Sequence, residues 1–313
     1  MRYNRRNFIQ STTSATSALL LGSLDGWTAP APASADKPHP DFSLKLLATD
    51  WGFKGSIDDY CALVKKEGYD GIEIWWPLEE PKQIALFTAL KKYRLDLGLL
   101  VSGDQPDAPD HLDHFKKMIG AAAANPWQRP IYINCHSGRD FFSHEENQLF
   151  IDHTLELSAK TGIRILHETH RSRMLFSAPA TRYFIGKNPG LRLTLDISHW
   201  TNVHNSLLED QQASVDLALE RTDHIHSRIG HPDGPQVNDP RAPEWADCVN
   251  AHLAWWDKVV ARKKQLGESL TILTEFGPPD YMPALPYTRQ PLADQWAINV
   301  YMMHLLRKRY LNT

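Results

Sequence analysis

The ten residues Leu191–Trp200, LRLTLDISHW, decide the fold. Alternating apolar and polar side chains predict a strand, and its far end delivers Asp196 and then His199. A carboxylate and an imidazole at the carboxyl end of a strand suit a metal or sugar site better than a packing role. Three other predicted strands end the same way. ILHETH carries Glu168 and His170, HIHSRIG carries His224, His226 and Arg228, and LTILTEFG carries Glu275. Successive gaps of 28, 30 and 49 residues separate Glu168, Asp196, His226 and Glu275. The first two are each one strand–helix unit, and the third is one unit with a long loop inserted. One polar residue per consecutive parallel strand describes a site on the open face of a barrel.

Outward from that stretch, the same alternation runs through the chain. Strands are predicted at FSLKLLATDWGF, GIEIWW, DLGLLVSG, PIYINCHSG, IRILHETH, LRLTLDISHW, DHIHSRIG and SLTILTEFG, each followed by an amphipathic helix. The third helix is read as starting at His111. Eight such units with short connections predict an α/β, single-domain (β/α)8 TIM barrel over residues 36–313. The one outsized connection in this reading is His231–Trp245, whose four prolines suggest a stiff flap or a subunit contact.

Residues 1–35 read as a cleavable twin-arginine signal. Arg5-Arg6-Asn7-Phe8-Ile9 precedes a weakly apolar run, Ala15–Leu24, and Ala33-Ser34-Ala35 forms a small-residue cleavage site. The run is too short and too rich in Ser and Thr to span a bilayer, so no stable membrane anchor is expected. The expected location is the periplasm, reached through the twin-arginine export machinery.

Net charge is −3, and more acidic without the leader, which carries three arginines and one aspartate. That excludes the basic footprint a nucleic-acid binder needs. Cys61, Cys135 and Cys248 are too few and too scattered for a disulfide framework and read as buried thiols.

Glu168, Asp196, His226 and Glu275 make a set of three carboxylates and one imidazole. Unpartnered charges gathered at one depth would repel, so a shared cation is the reading that explains them. Oxygen-rich donors favour one divalent ion, Mn²⁺, Mg²⁺ or Co²⁺, with Zn²⁺ also compatible. Several neighbours are candidates for substrate contact. His136 shares strand parity with Asn134, His170 lies on the side of Glu168, and His231 begins the long loop. Each is equally readable as a hydrogen-bonded or solvated histidine. Trp51, Trp75 and Trp200 sit near strand ends, where an indole stacks on a sugar ring or simply packs.

With GYDGIEIWW, the Glu168 strand, Asp196-x-x-His199, His226-Ser227-Arg228 and Glu275-Phe276-Gly277, the chain resembles the xylose-isomerase-like TIM-barrel superfamily. That group holds sugar phosphate isomerases and epimerases, ketose 3-epimerases and endonuclease IV. The resemblance implies that Glu168, Asp196, His226 and Glu275 hold the metal and that Glu168 and Glu275 move a proton. It also implies substrate contacts from His199 and Arg228, and matches Glu73 to a recurrent position on the second strand. Homodimers are common in the group.

The expected activity is that of a metal-dependent sugar isomerase or epimerase, moving a proton next to a carbonyl through an enediolate. One alternative is a lyase eliminating the aglycone of a 3-keto-glycoside at the same site. Another, from a different class, is a non-catalytic carbohydrate-binding barrel.

Overall fold

The computed structural model describes residues 41–311. Residues 1–35, read above as an export signal, lie outside them. Eight parallel strands close into one barrel in sequence order. They are β1 (Ser43–Thr49), β2 (Gly71–Trp75), β3 (Asp96–Ser102), β4 (Tyr132–His136), β5 (Ile165–Glu168), β6 (Leu193–Leu195), β7 (Thr222–His226) and β8 (Ser269–Thr274). Around them lie α1 (Ile57–Glu67), α2 (Glu80–Tyr93), α3 (Ala108–Ala123), α4 (His144–Thr161) and α5 (Ala178–Lys187). The ring is completed by α6 (Ser198–His204), α7 (Gln212–Arg221), α8 (Ala246–Leu266) and α9 (Gln295–Leu311).

Local chemistry explains the helix ends. Ser56 and Asp59 form a reciprocal capping box on α1, as do Ser143 and Glu146 on α4. Gly68 closes α1 at φ +91°, a conformation that disfavours any side chain. Helix α3 starts three residues before the position expected from sequence. Asp107 accepts a hydrogen bond from the Asp110 amide, and Pro109 fits the first turn, where no donor is needed.

The stretch that decided the fold is only partly a strand. β6 stops at Leu195, and His199 and Trp200 stand on the extra helix α6. Asp196 causes the break: its Oδ1 accepts from the amide and the hydroxyl of Ser198, turning the chain into the helix.

Inside the barrel, parity sorts side chains by depth. Leu47, Tyr132, Leu166 and Leu273 form an apolar plug. Gly98 makes room for it, since a Cβ there would lie 2.4 Å from the Tyr132 ring. One step nearer the carboxyl ends, the same inward positions become Glu73, Asn134, Glu168 and His226, all buried. At the opposite end, buried Asp223 takes Arg192 and Lys263 as ion-pair partners.

Two connections at the carboxyl face are long. Residues 231–245 are ordered by a bridge between His231 and Gly234 and by a 3-10 turn at Pro243–Trp245. Residues 275–294, which sequence reading passed over, are as extensive and include a bridge between Ala284 and Pro291. The two are tied together: Gln236 accepts from the Gly277 amide at 2.7 Å and donates to its carbonyl at 3.2 Å. No described helix is long and apolar enough to cross a membrane.

Candidate active site

The end of each strand positions one part of the site. Glu168 and His226 are the last residues of β5 and β7; Asp196 and Glu275 follow β6 and β8 directly. The structure brings these four together. Nδ1 of His226 lies 2.9 Å from Glu275 Oε2 and 3.6 Å from Glu168 Oε2. Donor atoms of Asp196, His226 and Glu275 all fall within 4.8 Å of one another, as do those of Glu168, Asp196 and His199.

Glu73 sets the state of His226. Its Oε1 stands 3.1 Å from His226 Nε2, so that nitrogen carries the proton in the neutral ring and Nδ1 keeps its lone pair for the cluster. Nδ1 of His226 and Oε2 of Glu275 are buried without a hydrogen-bond partner. Orphaned acceptors facing one another at close range are what a cation satisfies, so the donor set fits a divalent ion. Asp196 is more committed than the rest. Its Oδ1 is taken by Ser198, and Arg228 donates to its Oδ2, leaving one lone pair on that oxygen.

Arg228 is the fixed positive charge of the site. Fully buried, it pairs with Asp196, donates to His199 Nε2 at 2.9 Å and stands 3.6 Å from Glu275 Oε2. Its guanidinium lies over the Tyr281 ring at 4.7 Å and the Trp51 ring at 5.9 Å. Burial pushes Asp196 up to about 6, against the pull of Arg228 and with the push of Glu275 and Glu168. For Glu168, burial is overcome by His136 and His226, which hold its carboxyl well below the usual range. Burial likewise opposes the charge on His226, but Glu275, Glu168 and Glu73 raise it well above an ordinary histidine, so a cation taking the Nδ1 lone pair must displace a proton from it. His199 and His170 go the other way: burial, with neighbouring positive groups, keeps both neutral.

A cavity of ≈260 Å³ opens above this cluster, walled by Trp51, Glu73, Trp75, His136, His170, Arg228, Glu275 and Tyr281. Seven of these are candidates from sequence; Tyr281 is not. His136 donates toward Glu168 Oε2 at 2.9 Å and so stands between that carboxylate and the cavity. His170 donates from Nδ1 to the Arg171 carbonyl, which leaves Nε2 as an acceptor. Its ring packs between His136 and His199, at 4.6 and 4.0 Å.

Not every candidate reaches the cavity. His199, expected at the substrate, is fully buried behind His170 and accepts from Arg228. His231 is outside the cluster, because its bridge to Gly234 turns the loop back and its ring packs on Trp245. Trp200 is core, with its indole N–H donated to the Leu175 carbonyl. Sequence reading also missed Asn134, which donates to Glu168 Oε2 at 2.7 Å. Its inward parity and its place two residues before His136 were the available signal.

Comparison with solved structures adds a fold-level finding. The probable 3-DHS dehydratase AsbF of Bacillus anthracis superposes with a TM-score of 0.56 at 18% identity. The match covers 84% of this chain and 98% of that one. A D-tagatose 3-epimerase-like protein gives 0.54 at 12% identity, covering 86% and 97%. The shared fold is the closed (β/α)8 barrel. No family model matches the chain, and no curated protein sequence does.

Proposed function

We propose that this barrel is a metal-dependent isomerase or epimerase of a small carbohydrate, moving a proton on the carbon next to a carbonyl. The observation that carries the reading is His226, tethered by Glu73 at one nitrogen and offering the other to Glu168 and Glu275. Both solved structures of similar fold are described as enzymes, one of them as epimerase-like. A cavity of ≈260 Å³ is smaller than the ~300–1,000 Å³ of drug-sized ligand sites, which suits a single sugar unit.

Glu168, Asp196, His226 and Glu275 would hold the ion, with Mn²⁺, Mg²⁺ or Co²⁺ favoured by the oxygen-rich set and Zn²⁺ compatible. An ion held there would supply the positive charge that makes a C–H beside a carbonyl more acidic. Glu275 borders the cavity and, unlike Glu73, is not occupied at the His226 Nε2, so it would take the proton. His136, whose Nε2–H is held by Glu168, would deliver a proton from its other nitrogen to the opposite face, with the Glu168 carboxylate stabilising the charged ring. Arg228 and the indole of Trp51 orient hydroxyls and ring.

The test is solvent exchange. Metal-loaded protein incubated in D2O with ketoses should place deuterium at the carbon next to the carbonyl, read by NMR. Glu275→Gln should lower that rate by about 10²–10⁴-fold. Wild-type protein that exchanges nothing, or a Glu275→Gln variant that exchanges at the wild-type rate, would sink the reading. Aglycone release from a 3-keto-glycoside without epimer would assign elimination instead. For residues 1–35 we propose periplasmic export by the twin-arginine route. A reporter fused after Ala35 should lose export on Arg5→Lys/Arg6→Lys substitution.

A further inference from the structure

Just past Glu275 the chain leaves the barrel. β8 ends at Thr274, so the backbone of Phe276 and Gly277 has no strand ladder to bond, yet the Phe276 side chain is fully buried. Buried backbone polar groups need partners, and here side-chain amides supply them. Asn299 on α9 accepts from the Phe276 N–H at 2.8 Å and donates to the Phe276 carbonyl at 2.9 Å. An amide carries acceptor and donor side by side, so one side chain stands in for a neighbouring strand.

Gln295, one turn earlier on the same helix, extends this clamp across the site. Its Nε2 donates one hydrogen to the Phe276 carbonyl at 2.8 Å and the other to the Trp51 carbonyl at 2.7 Å. Gly52 makes room for it. A Cβ there would lie 2.5 Å from Gln295 Oε1, and the φ of +91° disfavours a side chain in any case.

The residues so held flank the reacting groups. Phe276 follows Glu275, whose Oε2 stands 2.9 Å from His226 Nδ1 but has no hydrogen bond to fix it. The aim of that carboxylate is therefore set by the backbone behind it. Trp51 walls the same cavity.

We propose that Gln295 and Asn299 are positioning residues, which aim the Glu275 carboxylate at the ion and the cavity and fix the Trp51 wall against it. The inference rests on the reading of Glu275 as metal ligand and base. A carboxylate at either position would repel the carbonyls, and a lysine could not accept from the Phe276 N–H, so an amide is the group that serves.

The experiment uses the full chain. Gln295→Met and Asn299→Leu keep side-chain bulk and remove the bonds. Gln128→Met is the control, since it removes a bond of the same kind, Nε2 to the Leu95 carbonyl at 3.0 Å, directly before β3 at the amino end of the barrel. Each protein is titrated with Mn²⁺ against a chelator, then assayed when loaded for exchange of ketose hydrogens in D2O. Both clamp variants should bind Mn²⁺ about 10–100-fold more weakly, the effect of losing groups that orient a ligand. Their kcat should fall about 10²-fold with a smaller change in KM, as when a reacting group is misplaced by about 1 Å. Gln128→Met should leave both readouts at the wild-type level. Wild-type Mn²⁺ affinity in the clamp variants, or an equal loss in Gln128→Met, overturns the positioning role. Wild-type protein that exchanges no ketose sinks the proposed reaction instead, and the Mn²⁺ titration then decides the clamp by the same criterion.

Discussion

Replacing Arg228 by Met tests the charge balance of the site. Three buried carboxylates, Glu73, Glu168 and Asp196, and the half-buried Glu275 share the site with Arg228, which pairs with Asp196 and stands 3.6 Å from Glu275. Asp196 is 0% exposed and Arg228 2%, so solvent does little to screen the pair. Removing one partner of a buried ion pair costs about 3–5 kcal/mol, because the other is left without compensation. Packing a Met side chain between Trp51 and Tyr281 offsets about 1 kcal/mol of that through apolar burial. The net loss of about 2–4 kcal/mol corresponds to a fall in Tm of roughly 5–15 °C for a domain of this size. Circular dichroism melts of metal-free protein measure it directly. Asp196→Asn removes the same pair from the other side, so the double variant should lose about 1–3 kcal/mol less than the sum. Added Mn²⁺ should raise the Tm of Arg228→Met more than that of the wild type, since it supplies the missing charge. A loss below about 1 kcal/mol, or strict additivity in the cycle, would refute the argument that Arg228 and Asp196 depend on one another.

Other outcomes follow from single contacts. Glu73→Ala should weaken metal binding about 10–100-fold in a chelator competition, by releasing the His226 ring; unchanged affinity would show that the tether is idle. Burial pushes Asp50 up to about 6, so the folded protein keeps that proton while the unfolded chain releases it near 3.8. Stability from this group therefore falls as pH rises through that window, and the full penalty stands above about 6. Asp50→Asn should accordingly stabilise by about 2–3 kcal/mol at pH 7.5 and by nothing below pH ~4, in urea titrations at both values. Gly277→Ala would set a methyl 2.4 Å from the Trp51 ring. It should cost about 1–3 kcal/mol and raise KM more than it lowers kcat, since the displaced indole walls the cavity rather than moving protons.

Alternation of strands and helices made the barrel legible, because each apolar strand is bounded by capping residues that local rules expose. Ser56 with Gly68 and Ser143 with Gly162 frame their helices as the sequence suggests. What escaped depended on contacts distant in sequence or on side chains that override the pattern. Asp196 ends β6 early by capping Ser198, so a run that alternates like a strand carries a helix in its second half. Tyr281 lies in a segment with no periodicity, and contacts with residues distant in sequence, Arg228, Trp51 and Arg171, give it a place. Spacing brought Glu168, Asp196, His226 and Glu275 to one rim. It could not show that Arg228 already claims part of Asp196, or that Glu168 meets the cavity through His136.

The paired bonds between Gln236 and Gly277 yoke the two longest connections of the carboxyl face. One carries His231 and Trp245, the other Tyr281, so the segment that gives the pocket its Tyr281 wall is braced by a second loop. Insertions or deletions in either loop should reposition the Tyr281 ring even when no residue near it changes. Variation in the length of one loop would then be constrained by the other, and specificity would drift through both together.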